Sequence, residues 1–282
     1  MTSPRSQTAP ARRRLRTVPI LLAALALLVS LVPVHGAAAQ HSRSARPTVV
    51  LVHGAWADAS SWTGVVERLQ DDGYTVRAIA NPLRSLSGDA ASVKAFLGTV
   101  QGPVVLVGHS YGGAVITNAA TGNPNVRALV YVNAFAPDTG ESATQLAGLD
   151  SALSADPTTI FDFVPATLPP TAETELYLKE STVFTSFATG LSADDKAVVA
   201  ATQRAATIGA LNEPSGTPAW RTIPSWYLLG TEDKIIPAGV QRTMATRAGS
   251  NLTTFEEGHV GLMTDPRTTT RLIERAAKAV AR

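Results

Sequence analysis

Val104-Val105-Leu106-Val107-Gly108-His109-Ser110-Tyr111-Gly112-Gly113 is the stretch that decides how this 282-residue chain folds. Four consecutive aliphatic residues read as a strand buried on both faces, as in a parallel sheet covered by helices. They run straight into Gly-x-Ser-x-Gly, and residues 114–120 read as a helix. A serine between strand and helix sits in a turn too tight for ordinary neighbours, and Gly108 and Gly112 supply residues without side chains. The turn predicts a strained backbone at Ser110. It also sets Ser110 at a helix N-terminus, where free N–H groups and the dipole favour developing negative charge. The bare pattern arises by chance too often to carry weight alone. Strand before and helix after make Ser110 a candidate nucleophile, with Gly108, His109 and Gly112 forming its elbow.

Outward from this stretch the same unit recurs. Residues 48–53 (Thr-Val-Val-Leu-Val-His) predict another buried strand, followed by a helix over about 62–72 that Ser60 or Ser61 can cap. Gly73 stops it, and 74–80 is the next strand. A helix opened by Ser87 runs to about 100, with Asp89 in its first turn. After the elbow come a Gly-Asn-Pro-Asn turn and a strand at 126–133. Strands at 225–229 and 252–255 and helices at 238–248 and about 265–281 resume the alternation, with Pro266 suited to the first turn of the last helix. About six apolar strands alternating with helices predict an α/β fold with a doubly wound, mainly parallel sheet. The alternation lapses over 139–222, where short helical patterns at about 142–149, 171–179 and 192–206 are separated by Pro- and Gly-rich connections. An insertion placed after a strand's C-terminal end predicts a helical cap over the site. The domain itself spans 48–282.

The first 39 residues are set apart. Arg12, Arg13, Arg14 and Arg16 precede an apolar run at 20–34, too short for a comfortable membrane span, and Ala37-Ala38-Ala39 offers a small-residue cleavage site. This predicts a signal peptide, a flexible leader at 40–47, and a secreted chain without stable membrane association after processing; the choice of export route stays open. Removing the segment takes 5 of the 24 basic residues and none of the 22 acidic ones, so the formal charge moves from +2 to −3. No basic patch argues for nucleic acid. With no cysteine there is no disulfide framework, and the core alone must hold the domain. No metal-ligand spacing or phosphate-binding loop is present, so no cofactor is implied. The expected partner is a small molecule; oligomeric state is not legible.

A serine hydroxyl needs a base to take its proton, and the base needs an orienting carboxylate. His41 lies in the leader. His53 and His109 sit inside tight turns, so His259, on the loop after the last strand at the sheet's C-terminal edge, is the candidate base. Asp233, in the loop after the strand 225–229, is the candidate acid; Glu232 is its nearest rival and Asp138 a lesser one. Glu256 and Glu257 read as solvated loop charges. The order Ser110, Asp233, His259 is the one this architecture uses.

His53-Gly54-Ala55-Trp56, Gly108-His109-Ser110-Tyr111-Gly112-Gly113, Gly230-Thr231-Glu232-Asp233 with Pro237, and Gly258-His259 together resemble the α/β-hydrolase superfamily over 48–281. Within it the chain is similar to the small esterases related to plant methyl-ester esterases and hydroxynitrile lyases. The resemblance implies an oxyanion hole made by the backbone N–H groups of Ala55 and Tyr111. It also implies an esterase rather than a lyase, because the lyases carry threonine at the position of Gly54 and lysine at that of Val260. A perhydrolase side activity and a non-catalytic receptor on the same fold remain alternatives. Residues 139–222 hold 10 acidic against 4 basic residues, which opposes anionic substrates, and Phe161, Phe163, Phe184 and Phe187 are candidates for lining an apolar pocket. Neutral, fairly apolar esters are the expectation.

Overall fold

The computed structural model describes residues 46–281, so the expected signal peptide and nearly all of the expected leader lie outside the described residues. Six strands form one sheet: β1 (Thr48–Val52), β2 (Val76–Ile79), β3 (Val104–Ser110), β4 (Val126–Ala134), β8 (Ser225–Gly230) and β9 (Asn251–Phe255). Their order is β2-β1-β3-β4-β8-β9 and every pairing is parallel. All seven residues of β3 are buried, as its unbroken apolar run requires of a strand covered on both faces. At the sheet's edge β9 is mostly exposed, and its Asn251-Leu-Thr-Thr sequence is correspondingly polar.

The crossover helices set the layers. The chain passes from β1 outward to β2 through the helix Thr63–Asp71, then reverses, and the helices Leu86–Leu97 and Tyr111–Ala119 carry it back across the sheet on the opposite face. Thr63–Asp71 packs with the last helix, Pro266–Val280, and Leu86–Leu97 packs with Tyr111–Ala119. Along Pro266–Val280 the buried residues Thr269, Leu272, Ile273, Ala276 and Ala277 recur at helical spacing and make one inward stripe. Asp265 caps it and Pro266 opens it. Two expected caps move to nearby residues. Ser85, not Ser87, accepts from Gly88 N–H, and Asp58 rather than Ser60 or Ser61 caps the short turn Ala59–Trp62 ahead of Thr63–Asp71.

The insertion differs from a purely helical cap. Residues expected as a helix at 171–179 contain instead β6 (Glu175–Leu178), paired antiparallel with β5 (Phe161–Val164) and β7 (Ala206–Thr207). Glu175-Leu-Tyr-Leu alternates, with Leu176 and Leu178 buried between partly exposed neighbours, and this two-residue period prevails over helix propensity. The helix expected at 192–206 ends at Thr202. Helix Ala143–Ala147 carries a complete capping box, Ser142 with Gln145. Among the described residues no helix is long and apolar enough to cross a membrane.

Candidate active site

β3 ends at Ser110, and the helix Tyr111–Ala119 begins at the next residue. Ser110 has φ 53° and ψ −127°, a conformation that costs a non-glycine residue about 1–3 kcal/mol. Surrounding structure enforces it: pairing with β4 slips by one residue between His109 and Ser110, and the Ser110 carbonyl accepts from Phe135 N–H at 3.1 Å. A Cβ at Gly112 would lie 2.4 Å from the Val52 carbonyl oxygen, and one at Gly108 2.6 Å from that of Gly112, so the chain crosses itself here only without side chains. At Gly54 a Cβ would lie 2.5 Å from that of Ser110, so the threonine of the lyases would not fit without a shift.

The loops after β8 and β9 bring Asp233 and His259 to the same sheet edge. His259 Nε2 lies 3.0 Å from Ser110 Oγ, and Nδ1 lies 3.0 Å from Asp233 Oδ2 and 3.1 Å from Oδ1. Asp233 Oδ1 also accepts from the backbone N–H groups of Ile235 at 2.8 Å and Ile236 at 2.9 Å. A carboxylate can only accept, so the proton sits on His259 Nδ1 and the Nε2 lone pair faces the serine hydroxyl. That is the arrangement in which an imidazole removes a hydroxyl proton. The other acids stand elsewhere. Asp138 pairs with Arg221 at 2.5 Å, Glu232 and Glu256 are exposed, and Glu257 accepts from Thr264 at 2.6 Å.

His53 and His109 have structural partners. The N–H of Asn81 donates to His53 Nε2 at 2.9 Å, so Nδ1 carries the proton and donates to the Gly54 carbonyl at 2.9 Å. His109 Nε2 donates to the backbone carbonyl of His259 at 2.9 Å and so anchors the loop that carries it. Burial pushes both rings below the ordinary imidazole value, His109 well below; at His53 the Arg204 cation adds to this and Asp58 opposes it. The unfolded chain takes up these protons near pH 6.5 while the folded chain refuses them. Their contribution to stability is therefore complete above that pH and declines as pH falls beneath it. Urea unfolding between pH 8 and 5 should show stability dropping below about pH 6.5, by up to about 1.4 kcal/mol per unit for each histidine. A flat or rising profile there would contradict this assignment.

The N–H groups of Ala55 and Tyr111 make no hydrogen bond among the described residues, and both residues line the cavity beside Ser110. The Tyr111 hydroxyl donates to Asp89 Oδ2 at 2.9 Å, where burial raises both the phenol and the carboxyl from their usual ranges. Asp89 thus holds the side chain of a residue that lines the cavity beside Ser110, a role beyond the helix first turn expected from its position.

The cavity holds about 740 Å³, and among the described residues no charged side chain lines it. Its walls include Leu153, Phe161, Phe163, Leu176 and Ile208 from the insertion, and Ile235 from the loop of Asp233. Two of the four expected phenylalanines are not among the lining residues. Phe187 packs its ring 5.2 Å from that of His259 and 6.1 Å from that of Trp56, and Phe184 lies under the Lys196 ammonium at 6.0 Å. Trp56 ties the insertion to the site, donating from Nε1 to the Leu176 carbonyl at 2.8 Å and stacking on Phe161 at 5.6 Å. Its local sequence carries no signal for that contact. Among the described residues no group of three His, Cys, Asp or Glu side chains is placed to hold a metal ion.

Known proteins share this layout to differing extents. Over 110 residues, 34% of this chain, it is 36% identical to the carbendazim hydrolyzing esterase of Nocardioides sp., and the match spans 46% of that protein's length. The alpha/beta hydrolase nvfD of Aspergillus novofumigatus is 27% identical over 267 residues, 82% of this chain and 97% of its own. Among solved structures, polyneuridine aldehyde esterase shares the fold with a TM-score of 0.69, covering 82% of this chain and 98% of its own at 20% identity. The alpha/beta hydrolase family pattern matches residues 49–272, from the first strand of the sheet into its last helix. With the six-stranded parallel sheet and the strand-turn-helix at Ser110 inside that span, the chain belongs to the alpha/beta hydrolase family.

Proposed function

We propose that the protein is a secreted serine esterase for neutral, fairly apolar carboxylic esters. The reading rests on one observation: contacts of 3.0 Å run from Asp233 through the His259 ring to Ser110 Oγ, and Ser110 lines a cavity that has no charged side chain among the described residues. The esterase names of two relatives support it, and export is supported by the arginine-flanked apolar run before Gln40.

His259 takes the Ser110 proton as the hydroxyl oxygen attacks the ester carbonyl. The N–H groups of Ala55 and Tyr111 receive the oxyanion, at a gain of about 3 kcal/mol for each donor in the transition state. His259 then delivers its proton to the departing alcohol, and water, deprotonated by the same ring, releases the acid from the acyl-enzyme. Val260, where the lyases carry lysine, is buried and brings no cation to the site. The acidic balance of the insertion does not reach the cavity wall, so rejection of anions rests on desolvation rather than on a repelling field.

The test is a matched substrate pair offered to enzyme recovered from the culture medium, whose chain should begin near Gln40. A neutral ester should exceed its analogue bearing a free carboxylate by about 100-fold in kcat/KM, a difference of about 2.7 kcal/mol. Equal or reversed preference would overturn the substrate class, and an intracellular, unprocessed chain would overturn export.

A further inference from the structure

Asp233 Oδ2 receives more than the histidine. Asn133, near the end of β4, and Gln241, on the helix Ala238–Arg247, are both fully buried. Asn133 Nδ2 donates to Asp233 Oδ2 and to the Gly258 carbonyl, each at 3.1 Å, bridging the loop of the acid to the residue before His259. Gln241 Nε2 donates to the same Oδ2 at 2.9 Å and to the Ile236 carbonyl at 2.7 Å. Both carboxamides turn N–H inward and leave their oxygens, Asn133 Oδ1 and Gln241 Oε1, without a partner among the described residues. An unpaired buried oxygen costs stability, and flipping either amide would set oxygen against the carboxylate.

Two backbone features admit this arrangement. Asn133 has φ 44°, a left-handed conformation that asparagine tolerates and a branched residue does not. Gly230 leaves the room, since a Cβ there would lie 2.2 Å from Asn133 Nδ2. Neither carboxamide lines the cavity.

We propose that Asn133 and Gln241 are positioning residues for the catalytic acid, an amide cradle that aims Asp233 Oδ2 at His259 and locks the two loops together. The proposal rests on the triad reading above. The cradle acts on turnover and not on substrate binding, so its loss lowers kcat and leaves KM alone.

Asn133→Ala should lower kcat about 10- to 100-fold with KM within twofold, since small misplacements of a reacting group have effects of this size. Asn133→Asp discriminates further. Its introduced carboxyl, facing Asp233 Oδ2 and the Gly258 carbonyl, can donate only while protonated. This variant should therefore outperform Asn133→Ala at acid pH and lose kcat as pH rises, where the parent enzyme holds its plateau. Gln241→Met removes the second donor at nearly constant length and should lower kcat several-fold with KM unchanged; it serves if Asn133→Ala does not fold. Folded variants that keep kcat within twofold, that change KM instead, or that show a pH-independent loss in Asn133→Asp would overturn the cradle. Asp233→Asn separates the two readings. If that variant stays fully active, the triad itself is wrong; if it is inactive while the Asn133 and Gln241 variants are normal, only the cradle fails.

Discussion

Ser110→Ala should lower kcat for a neutral ester by about a million-fold, the size of loss that follows when a triad serine is removed. The fold should survive, because Ser110 Oγ hydrogen-bonds only to His259 among the described residues. The strained backbone at φ 53° stays strained in alanine, so neither relief nor added cost is expected there. Stopped assays on a chromogenic ester, paired with a melting curve, check both halves. Activity within tenfold of the parent enzyme would remove Ser110 from the chemistry.

The second large effect is Asp233→Asn, expected to lower kcat about ten-thousand-fold. Asp233 is an acceptor at every contact it makes: to Ile235, Ile236, Asn133, Gln241 and His259. An amide NH2 in place of Oδ2 would meet donors from Asn133 and Gln241. It would also donate to His259 Nδ1, which moves the ring proton to Nε2 and points it at the serine. The tautomer able to accept the Ser110 proton is then lost. Unlike Ser110→Ala, this change should also lower the melting temperature, since buried donors lose their acceptor. A loss of stability with kcat intact would make Asp233 a structural residue.

What could be read from the chain alone follows from how local the cause is. The elbow was legible because strand, glycines and helix lie within seventeen residues, and the steric need for Gly108 and Gly112 arises where the chain meets itself. His259 emerges by elimination, since the four histidines from His41 onward offer few bases and the loop after the last strand is where such sheets place ligands. Asn133 and Gln241 were not legible. Each acts on Asp233, from 100 and 8 residues away, and a carboxamide at a strand end or inside a helix carries no pattern of its own. β6 is not legible because four residues of Glu-Leu-Tyr-Leu are too few to separate a two-residue period from helix propensity. The phenylalanines divided for a related reason. Hydrophobicity marks a residue for burial, but packing decides whether it faces the cavity, as Phe161 does, or a neighbouring ring, as Phe187 does.

The central claim is that His259 activates Ser110, and a fluorophosphonate probe followed by peptide mapping tests it most directly. The account predicts a single adduct on the peptide carrying Ser110, formed rapidly by the parent chain and lost in His259→Ala. Absence of labelling, an adduct on another residue, or undiminished labelling of Ser110 without the His259 ring would contradict it.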